Sequence, residues 1–231
     1  MIEILFLVAD LWLMFVGFFY GWRFIRRYKN YFLGIESLVV ATSATNFLLW
    51  SLLSGDADNP MYTIAYFLDA FSRSFGFTLV LILGLMMVTH RYRPRLWHEI
   101  GAFALAFLGG VLLVSMHEDG AYGVGPAAFF LVMNVIASLF VFYFAARVWR
   151  AGARGWAAAT AVITLIAMYI ALVYDFFPWS FDDGMRTGFY AAALATWGTQ
   201  GFVYYYAYKA LHAHDARTST AGRVHTEGVL S

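Results

Sequence analysis

Seven times along the chain a run of about 20 mostly apolar positions, the length a spanning helix needs, is followed by a short polar stretch. The runs are Ile4–Trp22, Tyr31–Leu53, Thr63–Thr89, Trp97–Met116, Ala127–Val148, Trp156–Phe177 and Thr187–Tyr208. The pattern predicts an all-α integral membrane protein with seven transmembrane helices over residues 1–211. Residues 212–231 are polar and have the composition of a disordered cytoplasmic tail. The first run has no basic segment ahead of it and no small-residue cleavage site, so it reads as a retained helix.

Charge placement turns this pattern into an orientation. Basic residues mark cytoplasmic loops. They follow the first helix (Arg23, Arg26, Arg27, Lys29), the third (Arg91, Arg93, Arg95), the fifth (Arg147, Arg150, Arg154) and the seventh (Lys209, Arg217, Arg223). The other loops are acidic: Asp56 and Asp58, then Glu118 and Asp119, then Asp182 and Asp183. The N-terminus is therefore expected outside and the C-terminus inside, in a plasma (inner) membrane.

Helices one to three and five to seven then run the same way. An offset of 124 positions places Arg23 on Arg147, Arg26 on Arg150 and Asp58 on Asp182, and "MYTIAY" on "MRTGFY". This suggests two parallel three-helix units joined by helix four. Parallel repeats occur in sugar transporters of the SWEET type.

Composition narrows the chemistry. Of 231 residues, 62% are hydrophobic and only 13% charged, about half the share of a soluble domain. There is no cysteine, which removes disulfides and thiolate chemistry. None of the six histidines falls in a membrane core, and no hydrolase, nucleotide-binding or zinc-protease motif occurs. No metal or cofactor is called for. Lys209 lies too near the inner edge of helix seven to carry retinal. The basic residues are accounted for by the loops, so nucleic-acid binding has no support.

The informative residues are the polar ones inside the apolar runs, which cost about 2.5–3.5 kcal/mol each when charged at mid-membrane. Asp69 and Arg73 are four apart, on one helix face with Tyr62, Tyr66 and Gly76. Asp10, Asn46 and Asn134 fall at about the same depth, roughly 10–12 Å from the outer surface by helical rise. Asp175 ends helix six, and Gln200 shares a face with Trp197 and Tyr204. The expectation is a pocket in the outer half of the bundle, aromatic-walled and with a polar floor, for a small apolar or amphipathic molecule. Its lining would be Asp10, Asn46, Tyr66, Asp69, Arg73, Asn134, Asp175, Trp197 and Gln200. The alternative role for these residues is helix packing alone. Glu36 reads differently: it lies near the inner end of helix two, where the basic loop can neutralise it.

The segments "TNFLLW", "YFLDAF" and "WGTQGFVYYYAYK" give the chain a resemblance to the seven-helix membrane-bound terpene cyclases of meroterpenoid pathways. The resemblance covers the topology of the whole chain but about a tenth of its residues. It implies an isoprenoid-type substrate and acid-initiated cyclisation. The family's helix-two and helix-seven acids align at or beside Trp50 and Trp197, leaving Asp69 as the one acid in a matching place. Three roles follow: a binding protein for a lipid or isoprenoid-like molecule, a parallel-repeat transporter, or a cyclase-like enzyme. The expected partners are membrane lipids and a small-molecule ligand or substrate, with action through a protein partner or a homo-oligomer left open.

Overall fold

The structure, a computed structural model, describes the backbone of residues 1–53, 59–118, 121–177, 179–184 and 186–229, and their side chains except at 117–118, 121–122 and 219–229. Asp56, Asp58, Asp119 and Met185, used above for orientation and repeat, lie outside the described residues. The helices are α1 (Ile2–Tyr28), α2 (Tyr31–Leu53), α3 (Pro60–Thr89), α4 (Leu96–Val114), α5 (Val124–Arg150), α6 (Arg154–Asp175) and α7 (Thr187–Val229). The only β pairing described joins His117–Glu118 to Ala121–Tyr122.

Local chemistry sets the boundaries. α1 stops at Lys29, whose left-handed backbone (φ 53°) lets its N–H reach the Ile25 carbonyl and the next N–H reach Phe24. α3 starts where the Asn59 side chain accepts from the Met61 N–H, with Pro60 supplying a preset first turn. At the same end of the bundle, Asp182 accepts from the Gly188 and Phe189 N–H groups and so caps α7. Arg186 donates to the Val173 and Tyr174 carbonyls that end α6. The acidic loop before α7 is thus capping machinery that holds the ends of α6 and α7 together.

Six helices close a ring in the order α1, α2, α3, α5, α6, α7, and α7 returns to α1. α4 packs on the outside of α3. The α1–α2 contact is close because Gly17 has no side chain: a Cβ there would sit 2.7 Å from the Ala41 methyl and the Ser37 carbonyl. One buried side chain pins one end of the ring. Asn30, fully buried, donates to the Gly84 carbonyl of α3 (2.8 Å) and to the Tyr208 hydroxyl of α7 (3.3 Å), and accepts from the Leu33 N–H (3.1 Å).

The outside of this ring is apolar. Leu5, Val8, Phe15 and Phe18 along α1 and Phe107 and Leu108 on α4 all stand exposed, a surface that water would not tolerate and lipid would. Among the described residues six helices, α1 to α6, are long and apolar enough to cross a membrane, which is compatible with a multi-pass membrane protein. The seventh expected span is in place as α7, but is not among those six; it is rich in tyrosine and glycine and carries Gln200. Its tyrosines Tyr204, Tyr205 and Tyr208 are buried in the main core with Phe24, Leu85 and Phe144. α7 continues as helix to Val229, through most of the stretch whose composition is that of a tail.

The middle of α3 departs from α-helical winding. Ser72–Val80 is a π-helix, bounded by α-helix on both sides. A π turn takes more residues than an α turn. Positions beyond Ser72 are therefore rotated relative to Asp69, and Gly76 faces α2 instead of joining the Asp69 face as simple helical spacing implied.

Candidate functional site

The α-to-π junction of α3 places Asp69 and Arg73 at the contact with α5 and α6. Arg73 Nη1 donates to Asp69 Oδ2 at 3.3 Å, and Nη2 to Asp175 Oδ2 of α6. The guanidinium lies between two ring faces, 4.1 Å from the Phe130 centroid on α5 and 4.2 Å from Tyr174 on α6. Four groups from three helices thus hold one cation by ion pairing and by the negative faces of two rings.

The two carboxylates are not equivalent. The Asp69 side chain keeps 23% of its surface exposed, Arg73 15% and Asp175 9%. Asp69 shares a helix with Arg73, whereas Asp175 ties α3 to α6. The open side of the triad is therefore the Asp69 side. Two carboxylates and one guanidinium leave a net charge of −1, so the open side favours a cationic or hydrogen-bond-donating group.

Aromatic rings surround the triad in a connected series. Tyr66 and Tyr62 share a hydroxyl contact of 2.9 Å, and Tyr62 lies 5.3 Å from Trp50. Trp50 stacks on Phe47, which meets Tyr190; Tyr190 meets Tyr174, and Tyr174 meets Trp197. Tyr66 and Trp197, expected as lining residues, belong to this wall.

The other expected lining residues are elsewhere or serve other bonds. Asn46 donates to the Met61 carbonyl at 2.8 Å and joins the end of α2 to the start of α3. Asn134 accepts from Ser138 on its own helix at 3.5 Å. Gln200 donates to Tyr204 at 2.6 Å, and Tyr204 shares a contact with Thr164 of α6 at 2.8 Å. Asp10 is fully buried, with neither carboxylate oxygen hydrogen-bonded. No direct hydrogen bond among the described residues joins Asp10, Asn134 or Gln200 to the triad.

Glu36 does not meet the basic loop. It lies inside the bundle, 6% exposed, against the π-helical stretch of α3. Lys29 ends α1 in a tight turn, and the following turns of α2 carry Glu36 away from it and toward Gly76.

Sequence spacing missed Tyr174 and Phe130 as the two faces around Arg73. Both sit in apolar runs rich in other aromatic residues, and nothing local distinguishes them. A shallow apolar groove on the outward face of α1, lined by Leu11, Phe15, Phe18, Trp22 and Arg23, was not expected either. It is separate from the triad.

Neither the family models, the curated proteins nor the solved structures compared with this chain include a match, so the functional reading rests on its own residues.

Proposed function

We propose that the chain is a multi-pass membrane protein that binds a small amphipathic molecule, lipid or isoprenoid-like, against the Asp69–Arg73–Asp175 triad. One observation carries the reading: a guanidinium held by two carboxylates and two ring faces from three helices, with its more exposed carboxylate close enough to Tyr66 and Tyr190 of the aromatic wall to act on them electrostatically. The triad supplies the polar end. Tyr62, Tyr66, Trp50 and Tyr190 supply the apolar wall. Asp69 is paired with Arg73, which suits orienting a head group better than donating a proton, and so favours binding over cyclisation.

The bundle crosses the membrane seven times in this reading, with the N-terminus outside and the triad toward the outer half. The loop charges support that orientation. The test of ligand binding is mass spectrometry of small molecules that co-purify with the full chain and with Asp69→Asn. Loss of a defined amphiphile in the variant is expected; identical content in both would sink the reading.

Transport is a second reading, favoured by the ring. α1–α3 and α5–α7 form the ring while α4 sits outside it, the arrangement expected of two triplets joined by a linker helix. The Thr164–Tyr204–Gln200 chain would extend a polar path inward from the triad. The chain has no cysteine, so single replacements can be mapped cleanly. Gln200→Cys should react with a membrane-impermeant thiol reagent from the cytoplasmic side if solute passes through. Protection from both sides rules transport out.

A further inference from the structure

We propose that Glu36, Ser72 and the π-wound turn at Gly76 form an intramembrane proton-binding site, with Glu36 as the group that takes up and releases the proton. This does not depend on the amphiphile reading.

Glu36 is more than nine-tenths buried, and apart from the Ser72 hydroxyl beside it neither carboxylate oxygen has a hydrogen-bonding neighbour. The Ser72 hydroxyl is the side chain that meets it, and it has no other hydrogen-bond partner. The carboxyl group lies directly over Gly76: a methyl there would be 2.7 Å from Oε1 and 2.8 Å from Oε2. The site is therefore built, since α3 gives up a side chain and changes its winding at the level where α2 projects an acid. π-Helical turns inside α-helices recur at functional sites. Helices with irregular turns at mid-membrane are where transporters hold coupling ions.

Among the described residues no charged side chain acts on Glu36. On α3, Arg73 is committed to Asp69, Asp175 and two rings. On α1, Tyr20 is engaged with Tyr206. A carboxylate with no cation and a single hydroxyl neighbour is not a stable occupant of an apolar interior. A proton from water converts it to the neutral acid, whose O–H has Ser72 Oγ as acceptor. Releasing that proton restores the carboxylate, with the Ser72 hydroxyl as donor. Asp10, whose two oxygens have no hydrogen bond, lies in a stretch of unbroken α-helix.

The test uses the full chain in nanodiscs with dicyclohexylcarbodiimide, a lipid-soluble reagent that adds to protonated carboxyl groups, followed by peptide mass spectrometry. Glu36 is expected to be modified, faster as pH falls, and the ion-paired Asp69 to be spared. Gly76→Ala, which displaces the carboxyl group, should slow the modification several-fold. Should that variant fail to fold, Ser72→Ala keeps the packing and should shift the pH at which modification is half-maximal. As an independent readout, the pH dependence of the melting temperature should lose one proton's contribution in Glu36→Gln. An unmodified Glu36 together with an unchanged melting profile in Glu36→Gln overturns the proposal. Protection by sodium chloride but not choline chloride overturns the proton in favour of a metal ion.

Discussion

Two acidic sites hang on the same helix within two turns of each other, and they solve the burial of charge in opposite ways. Asp69 and Asp175 are held by Arg73, which is itself flanked by Phe130 and Tyr174. Glu36 has only Ser72 and the bare backbone of Gly76. The first site is satisfied internally and partly open to its surroundings. The second is closed and unsatisfied. A saturated ion triad resists change and suits a fixed platform, whereas an acid lacking a partner suits a group that must gain and lose something. The change from α to π winding between Phe71 and Ser72 lets one helix present both: Asp69 and Arg73, on either side of it, meet Asp175 of α6, and Gly76, one turn on, meets Glu36 of α2.

The contrast can be broken most directly by removing the shared cation. Arg73→Met leaves two carboxylates without their partner in a largely buried setting and is expected to cost about 3–5 kcal/mol, read as thermal unfolding in detergent. A change below about 1 kcal/mol would mean that the triad is solvated and does not hold the helices.

Gly76→Ala comes next, at about 1–3 kcal/mol, because its methyl would meet the Glu36 carboxyl oxygens at 2.7 and 2.8 Å. Adding Glu36→Ala should recover most of that loss. Additive effects in the double variant would show that Glu36 does not occupy this space.

The two arms of the triad should separate further. Asp175→Asn, which weakens the tie between α3 and α6, is expected to cost more than Asp69→Asn. The latter disturbs a more exposed pair on a single helix, with an effect of about 0.5 kcal/mol. Equal losses would contradict the asymmetry seen in exposure.

The smallest effect is expected for Glu36→Gln. No ion pair is lost there, so stability near neutral pH should change by less than about 1 kcal/mol. A destabilisation as large as that of Arg73→Met would reveal a counter-charge and remove the distinction between the sites.

Much of this organisation was legible along the chain. Apolar runs of membrane length have strong periodic content, and the observed helices begin and end within a few residues of them, except where α1 and α7 run on past their runs. The ion pair of Asp69 and Arg73 followed from their spacing, because i and i+4 share a helix face. Glu36 was misplaced for an instructive reason: closeness in sequence to Lys29 suggested neutralisation, but the turn at Lys29 and the rise of α2 separate them. The face of Gly76 was misassigned because a constant helical period was assumed through a segment that does not keep it.

By itself the sequence determined where the long apolar helices fall, the alternation of loop charge and the pairing of charges one turn apart. These depend on local periodicity and on the cost of placing polar groups in lipid, which every residue reports individually. Only the tertiary structure decided that Asp175 closes the triad, that Phe130 and Tyr174 flank it and that Asn30 ties α2 to α3 and α7. It also decided that Glu36 faces a π-wound turn with no cation beside it. Such partners are set by which helix faces meet. That depends on small residues such as Gly17 and Gly76 and on winding, and neither leaves a periodic trace in the chain.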